Sequence, residues 1–227
     1  MDRNSDSVKS KRAYDSSRRR EQARRTRNGV LDAAERLFLS QGYVGTTIAS
    51  IAGAADVSVE TIYKGFGGKA GLVRAIWERG LAGSGPIPAP QRSDEMQAHE
   101  DDPHAVIRNW GTLMTEVAPR TAPIVLLIRT AAESDPVMAA LLQEVDRERL
   151  ERMEHNARRL WDRGDLRTGV TLDEARDVMW IYSSPELYEL LVVRRGWDVG
   201  EYADFAARGL IAALLPTGDH ADDDSPA

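Results

Sequence analysis

Residues 58–64, SVETIYK, carry the side chains in this chain with the clearest chemistry. Ser58, Thr61 and Tyr63 have hydroxyls, Lys64 a cation, Glu60 an acceptor-only carboxylate and Val59 an apolar surface. On one face of a helix such groups can enter a major groove, where base edges are read by hydrogen bonds and methyl contacts. Glu60 has two readings: it accepts from a cytosine amino group, or it is a solvated helix residue that phosphate repels. Tyr63 lies about 100° round a helix from Ile62, so it points away from a core and toward phosphate.

A reading face of this kind needs two helices held at a steep crossing. Residues 48–67, IASIAGAADVSVETIYKGFG, have the required spacing. Small Ala52 sits where the two backbones come closest, Asp56 is the turn residue, and Ile62 points inward. Ile48, Ile51, Val57 and Ile62 form the apolar wedge. Thr47 and Ser58 are expected to cap the two helices. The pattern predicts a helix-turn-helix, whose expected partner is a double-stranded DNA operator.

The charge distribution fits that partner. The net charge is −6, yet residues 1–80 hold 15 Lys+Arg against 9 Asp+Glu, while residues 81–227 hold 15 against 27. A basic front end attracts phosphate, and an acidic remainder disfavours wrapping DNA around the whole protein. With 227 residues and 42% hydrophobic content, the chain can build one or two cored domains. The absence of Cys excludes disulfides, thiolate metal sites and cysteine nucleophiles, and it fits a reducing cytoplasm. No apolar run approaches the roughly 20 residues of a membrane span, and the polar N-terminus lacks a signal-peptide core. His99, His104, His155 and His220 are scattered, and there is no glycine-rich phosphate loop. No cofactor or metal is expected, and nothing argues for an enzyme.

Helical periodicity without strand-like alternation predicts an all-α chain. Residues 1–17 read as a disordered basic tail, 18–66 as the helix-turn-helix domain and 67–82 as a connecting helix. Residues 83–102 read as a linker, 103–215 as a C-terminal helical domain and 216–227 as a disordered acidic tail. The first helix is expected over 18–41, with Val30, Leu31, Ala34, Leu37 and Phe38 on its apolar stripe and Gly42 ending it. Asp102-Pro103 and Asp135-Pro136 read as an N-cap followed by Pro at the first helical position. Pro119 and Pro123 are expected to break the helix that Pro103 opens. Thr171 with Glu174, and Asp198 with Glu201, have capping-box spacing, while Ser184-Pro185 marks a kink or restart.

Residues 24–72 resemble the TetR family of bacterial one-component regulators. The likeness is carried by RRTRNGVLDAAERLF, by GYVGTTIASIAGAADVSVETIY and by FGGKAGL. A looser likeness in residues 103–215 rests on helix count and on SSPELYELLVVRRGW. The resemblance implies that Arg24, Arg25 and Arg27 approach the DNA backbone and that Thr47, Tyr63 and Lys69 touch phosphates. It implies that Ser58, Val59, Glu60, Thr61 and Lys64 form the groove-facing surface, and that the C-terminal domain dimerises and binds a small molecule. Two positions depart from the family pattern. Asp56 stands where Gly is usual, and Gly65 stands where an aromatic or His is frequent, which removes one DNA contact.

In the C-terminal domain, a 100° advance per residue puts Asp146, Arg149 and Asn156 in the same arc as Leu142, Val145, Leu150, Met153, Ala157 and Leu160. Buried polar groups need partners, so these three either line a ligand cavity or form an internal polar network. Arg129, the one charge inside IVLLIRTAA, either pairs with a carboxylate or meets an anionic ligand. Trp110, Met114, Trp161, Met179, Trp180 and Tyr182 either wall an apolar pocket or are ordinary core. The candidate ligand-binding set is Trp110, Met114, Arg129, Asp146, Arg149, Met153, Asn156 and Trp180. Residues 178–193 and 202–215 are apolar on more than one face, which predicts a second burial surface, supplied by a two-fold dimer. Its candidate residues are Tyr182, Leu187, Leu191, Phe205, Leu210 and Leu214. These readings converge on a cytoplasmic homodimeric repressor released by a small-molecule effector. The alternative is a small-molecule binding or catalytic helical protein with a vestigial helix-turn-helix.

Overall fold

The computed structural model describes residues 5–216, with side chains from residue 18 onward. Among the described residues every regular element is a helix. The chain divides between Ile76 and Trp77 into two compact units.

The first unit opens with α1 (Ser5–Gly45), which is interrupted at Gly42, where φ is 73° and ψ 170°. The helix begins at Ser5, so residues 5–17, expected to be irregular, are helical instead. Further along the helix, Glu21 pairs one turn on with Arg24 at 2.9 Å and Arg25 at 3.2 Å. Residues 1–4 lie outside the described residues. A Thr47–Ser50 capping box opens α2 (Ile48–Ala54), and the Ser58 side chain, accepting from the Thr61 N–H, opens α3 (Val59–Phe66). α4 (Lys69–Ala82) then runs across the division between the units. Phe38 of α1, Ile51 of α2, Ile62 of α3 and Leu72 of α4 are fully buried in this unit's core. Ala52 is buried as well, while Ile48 and Val57 are half-buried. Asp56, in the turn between α2 and α3, has a φ of 52°, a left-handed conformation that side chains other than Gly disfavour.

The second unit contains α5 (Ala89–His99), α6 (Pro103–Ala132), α7 (Pro136–Arg163), α8 (Leu172–Tyr182), α9 (Pro185–Tyr188) and α10 (Val199–Leu214). Asp102, Asp135, Thr171 and Asp198 cap their helices, Thr171 by accepting from the Glu174 N–H, and Ser184 caps the restart expected at Ser184-Pro185. A six-residue π-helical turn, Glu189–Arg194, follows α9. Val106, Trp110, Leu160, Met179, Leu210 and Leu214 belong to the main core, which draws on α6, α7, α8 and α10. Gly111 of α6 lets the chain pass close to α10: a Cβ there would lie 3.2 Å from the Ala203 carbonyl oxygen.

Three expectations are corrected in this unit. Residues 83–102 are not a bare linker, because α5 occupies Ala89–His99 and buries Ala89, Ser93 and Gln97. Its buried face is mostly small and polar, so hydropathy does not announce it. α6 continues through Pro119 and Pro123 instead of breaking. Burial of Ile124, Val125 and Ile128, at roughly 1.5–3 kcal/mol each, offsets the ~3 kcal/mol that an interior Pro costs a helix. Leu210 and Leu214 of the expected dimer set are instead buried in the chain's own core, whereas Leu187 and Leu191 are half-buried beside Tyr188, Tyr202 and Ala122. Residues 217–227, most of the expected acidic tail, lie outside the described residues.

The segment after α4 is tied down by Glu116 of α6. Its carboxylate accepts from the Ser84 main-chain N–H, from Ser84 Oγ at 2.9 Å and from Arg92 Nη2 at 2.7 Å. The Ser84 N–H and then Arg92 hold the Glu116 pKa down to about 2. A carboxylate with a depressed folded pKa stabilises the fold above its unfolded pKa, and that contribution is lost as pH falls toward the folded value. Denaturant melts of wild type and Glu116→Gln should therefore differ most at neutral pH, with the gap closing between about pH 5 and about pH 2. A gap that does not change with pH would refute the carboxylate's role. Asp56→Gly should leave the thermal midpoint unchanged or raise it, by up to about 1 kcal/mol of stability, since Gly has no Cβ penalty at positive φ. A clear loss of stability would show that the Asp56 side chain contributes bonding.

Candidate nucleic-acid interface and ligand cavity

α3 is fixed from one side and open on the other. Ile62 is fully buried, Val59 and Tyr63 are 42% and 55% exposed, and Ser58, Glu60, Thr61 and Lys64 are exposed too. The outward set expected from sequence is thus brought together on one surface. Ser58 Oγ accepts from the Thr61 N–H at 3.1 Å and lies 2.8 Å from Thr61 Oγ1, so both hydroxyls belong to the cap. Thr47 likewise caps α2 through Ser50. Glu60 pairs with Lys64 at 2.7 Å, an exposed contact worth little in water. That pairing keeps the carboxylate from presenting an isolated negative charge to phosphate. Tyr63 packs beside Gly68, where an added Cβ would lie 3.5 Å from the ring.

The basic residues divide into two kinds. Arg24 and Arg25 are exposed and held only by Glu21. Arg27 donates to the Gly65 carbonyl at 3.2 Å and lies 4.4 Å from the Phe66 ring centre, so it ties α1 to the end of α3. Lys69 differs more from expectation. Its ammonium donates to the Tyr43 and Thr46 carbonyls at 2.7 and 3.1 Å and sits 4.0 Å from the Tyr43 ring centre. These contacts staple α4 to the turn that leads into α2.

The second unit encloses a cavity of about 350 Å³. From the expected ligand set, Trp110, Met114, Arg149, Met153 and Asn156 line it, while Arg129, Asp146 and Trp180 do not. Arg129 forms an ion pair with Glu186 of α9. Asp146 accepts from Arg149 Nη1 at 3.3 Å. Arg149 also donates to the Ser183 carbonyl at 3.3 Å and lies 5.3 Å from the Trp180 ring centre, which pins the break between α8 and α9. Burial lowers the Arg149 pKa and Asp146 counters it. Sequence reasoning missed Trp77, Pro90, Ser93, Tyr188 and Tyr202 as lining residues. Only the spacing of Ser93 and Gln97, one helical turn apart, could have hinted that residues 83–102 contribute a wall.

Lys69→Ala should lower the stability of the full chain by about 1–3 kcal/mol, the range for a charged hydrogen bond lost from partly buried carbonyls. Chemical denaturation measures this directly. Wild-type stability in Lys69→Ala would return the residue to a phosphate role alone.

Residues 30–76 match the model described as bacterial regulatory proteins, tetR family. The chain is 44% identical over 59 residues to the HTH-type transcriptional regulator TtgR of Pseudomonas putida, covering 26% of this chain and 28% of that protein. It is 33% identical over 93 residues to an uncharacterised HTH-type transcriptional regulator, YvkB, of Bacillus subtilis, covering 41% of this chain and 45% of that protein. The matches thus span less than half the length of these curated relatives. Among solved structures, the SmeT–triclosan complex superposes with a TM-score of 0.66 at 25% identity, covering 85% of this chain and 93% of that one. SmeT is described as the repressor of the Stenotrophomonas maltophilia multidrug efflux pump SmeDEF. With α3 capped and exposed in the matched segment, residues 30–76 carry the likeness to the bacterial regulatory proteins of the tetR family, and the helical second unit is similar to that of SmeT.

Proposed function

We propose that this protein is a homodimeric transcriptional repressor of the cytoplasm that binds a palindromic operator and leaves it when a small molecule occupies the second unit. The observation that carries the reading is α3: one face is locked by Ile62, and the other presents Ser58, Val59, Glu60, Thr61, Tyr63 and Lys64 together. Two such helices related by a two-fold axis read half-sites roughly one helical turn apart. The cavity supports the ligand-responsive part, and the likeness to SmeT, solved with triclosan, supports repression. A ligand releases DNA only through a higher affinity for the geometry that does not bind it. Among the described residues no helix is long and apolar enough to cross a membrane.

The dimer face we propose is narrower than the sequence implied. Tyr182 and Phe205 stay in it, with ring centres 6.2 Å apart, and Ile181 joins them at 59% exposure. Leu210 and Leu214 leave it because they are core.

Sequencing the DNA that the purified protein selects from a random pool tests the operator reading; palindromic enrichment is expected, and unenriched pools would refute it. Ile181→Glu should give folded monomer by light scattering and lose operator binding at the same time, since a monomer keeps only half the contacts. A folded dimer with normal operator affinity would move the interface elsewhere.

A further inference from the structure

We infer that the side-chain amide of Asn156 is the polar anchor of the cavity, donating from Nδ2 to an acceptor atom on an uncharged, largely aromatic ligand; this rests on the ligand-responsive reading above. Asn156 lines the cavity and is 7% exposed. Its Oδ1 accepts from Gln97 Nε2 at 3.3 Å. The orientation of both amides is fixed one step back. Gln97 Nε2 also donates to the Ser93 main-chain carbonyl at 3.2 Å and to Ser93 Oγ at 3.1 Å. A carbonyl can only accept, so the Gln97 group facing it is the NH2. The same nitrogen reaches Asn156, which therefore turns its oxygen toward Gln97 and its own NH2 the other way, and Gln97 Oε1 is left buried without a hydrogen-bond partner. Among the described residues no acceptor meets that Nδ2. Unlike the Trp110 indole nitrogen, it is not enclosed, so it is reachable from the cavity that its residue lines. Once a ligand excludes solvent from the cavity, that N–H loses its hydrogen bond unless the ligand supplies an acceptor, so a ligand that supplies one is favoured over one that does not. Ser93 and Gln97 act as positioning residues.

The charges around the cavity decide the ligand's own charge. Arg149 is paired with Asp146 at 3.3 Å and Arg152 with Asp94 at 2.8 Å, and Glu148 has an interaction of its own. An ion entering would shed its water with no unpaired counter-charge among the described lining residues to offset the loss. Trp77, Trp110, Tyr188 and Tyr202 supply flat apolar surface, and Met114 and Met153 adapt to its edges. These surfaces suit a rigid aromatic body that carries one carbonyl or ether oxygen.

The full-length protein is titrated calorimetrically with probes that share one ring system: acetonaphthone, ethylnaphthalene, naphthoate and naphthylmethylammonium. Acetonaphthone should bind about three- to tenfold more tightly than ethylnaphthalene, the worth of one hydrogen bond. Both ions should bind more weakly than either neutral probe. In Asn156→Leu the ketone's advantage should vanish while ethylnaphthalene binds at least as well. Equal affinities in the native protein, or an advantage that survives in Asn156→Leu, would overturn the inference and leave the ligand-responsive reading intact. Failure of every probe to bind would overturn both. Where Asn156→Leu does not fold by circular dichroism, the native comparison of ketone with hydrocarbon decides alone: an advantage supports the inference, and its absence overturns it.

Discussion

An isolated helix shorter than about 12–15 residues is marginal in water, and α3 has eight. Its shape is imposed from outside. Ile62 is buried against the helices around it, Ser58 satisfies an orphan N–H at the front, and Gly67, at a φ of 75°, closes the back by donating to the Tyr63 carbonyl. Arg27 adds a bond to the Gly65 carbonyl from α1. The reading surface needs all of these, because the outward residues stay on one face only while the helix keeps its register. Lys69 serves the same end by bracing the turn that leads into α2.

The second unit faces a different constraint, that buried polar groups need partners. Along α7 two separate groups provide them. Arg149 donates to Asp146 and to the Trp180 and Ser183 carbonyls at the end of α8. Asn156 closes onto Gln97 and Ser93 of α5. The first group engages Arg149 with three acceptors, although the residue borders the cavity. The second leaves two amide atoms over: Gln97 Oε1, which is buried without a partner, and Asn156 Nδ2. The second of these is not enclosed, so a missing partner has somewhere to sit.

Much of the local structure was legible because its bonds are local. Thr47, Ser58, Asp102, Asp135, Thr171 and Asp198 each cap within three residues of themselves, as their spacing indicates, and the restart marked by Ser184-Pro185 is likewise a local cap. The positive φ at Asp56 and the inward turn of Ile62 follow from the same short-range logic. What could not be read depends on distant partners. Lys69 bonds to carbonyls 23 and 26 residues away, and Gln97 finds Asn156 59 residues on. The continuity of α6 through two prolines is likewise decided by what packs on it. Leu210 and Leu214 illustrate the limit of a wheel argument: an apolar face predicts burial, but not whether the chain or a second copy provides it.

The central claim is that paired α3 helices read base edges in a major groove. Methylation interference at guanine N7, performed on the selected operator, tests it most directly, because that atom lies in the major groove. The account predicts two clusters of interfering guanines, related by two-fold symmetry and centred roughly one helical turn apart, with the pattern altered in Thr61→Ala or Lys64→Ala. Interference that is absent or asymmetric, or unchanged in both variants, would contradict it.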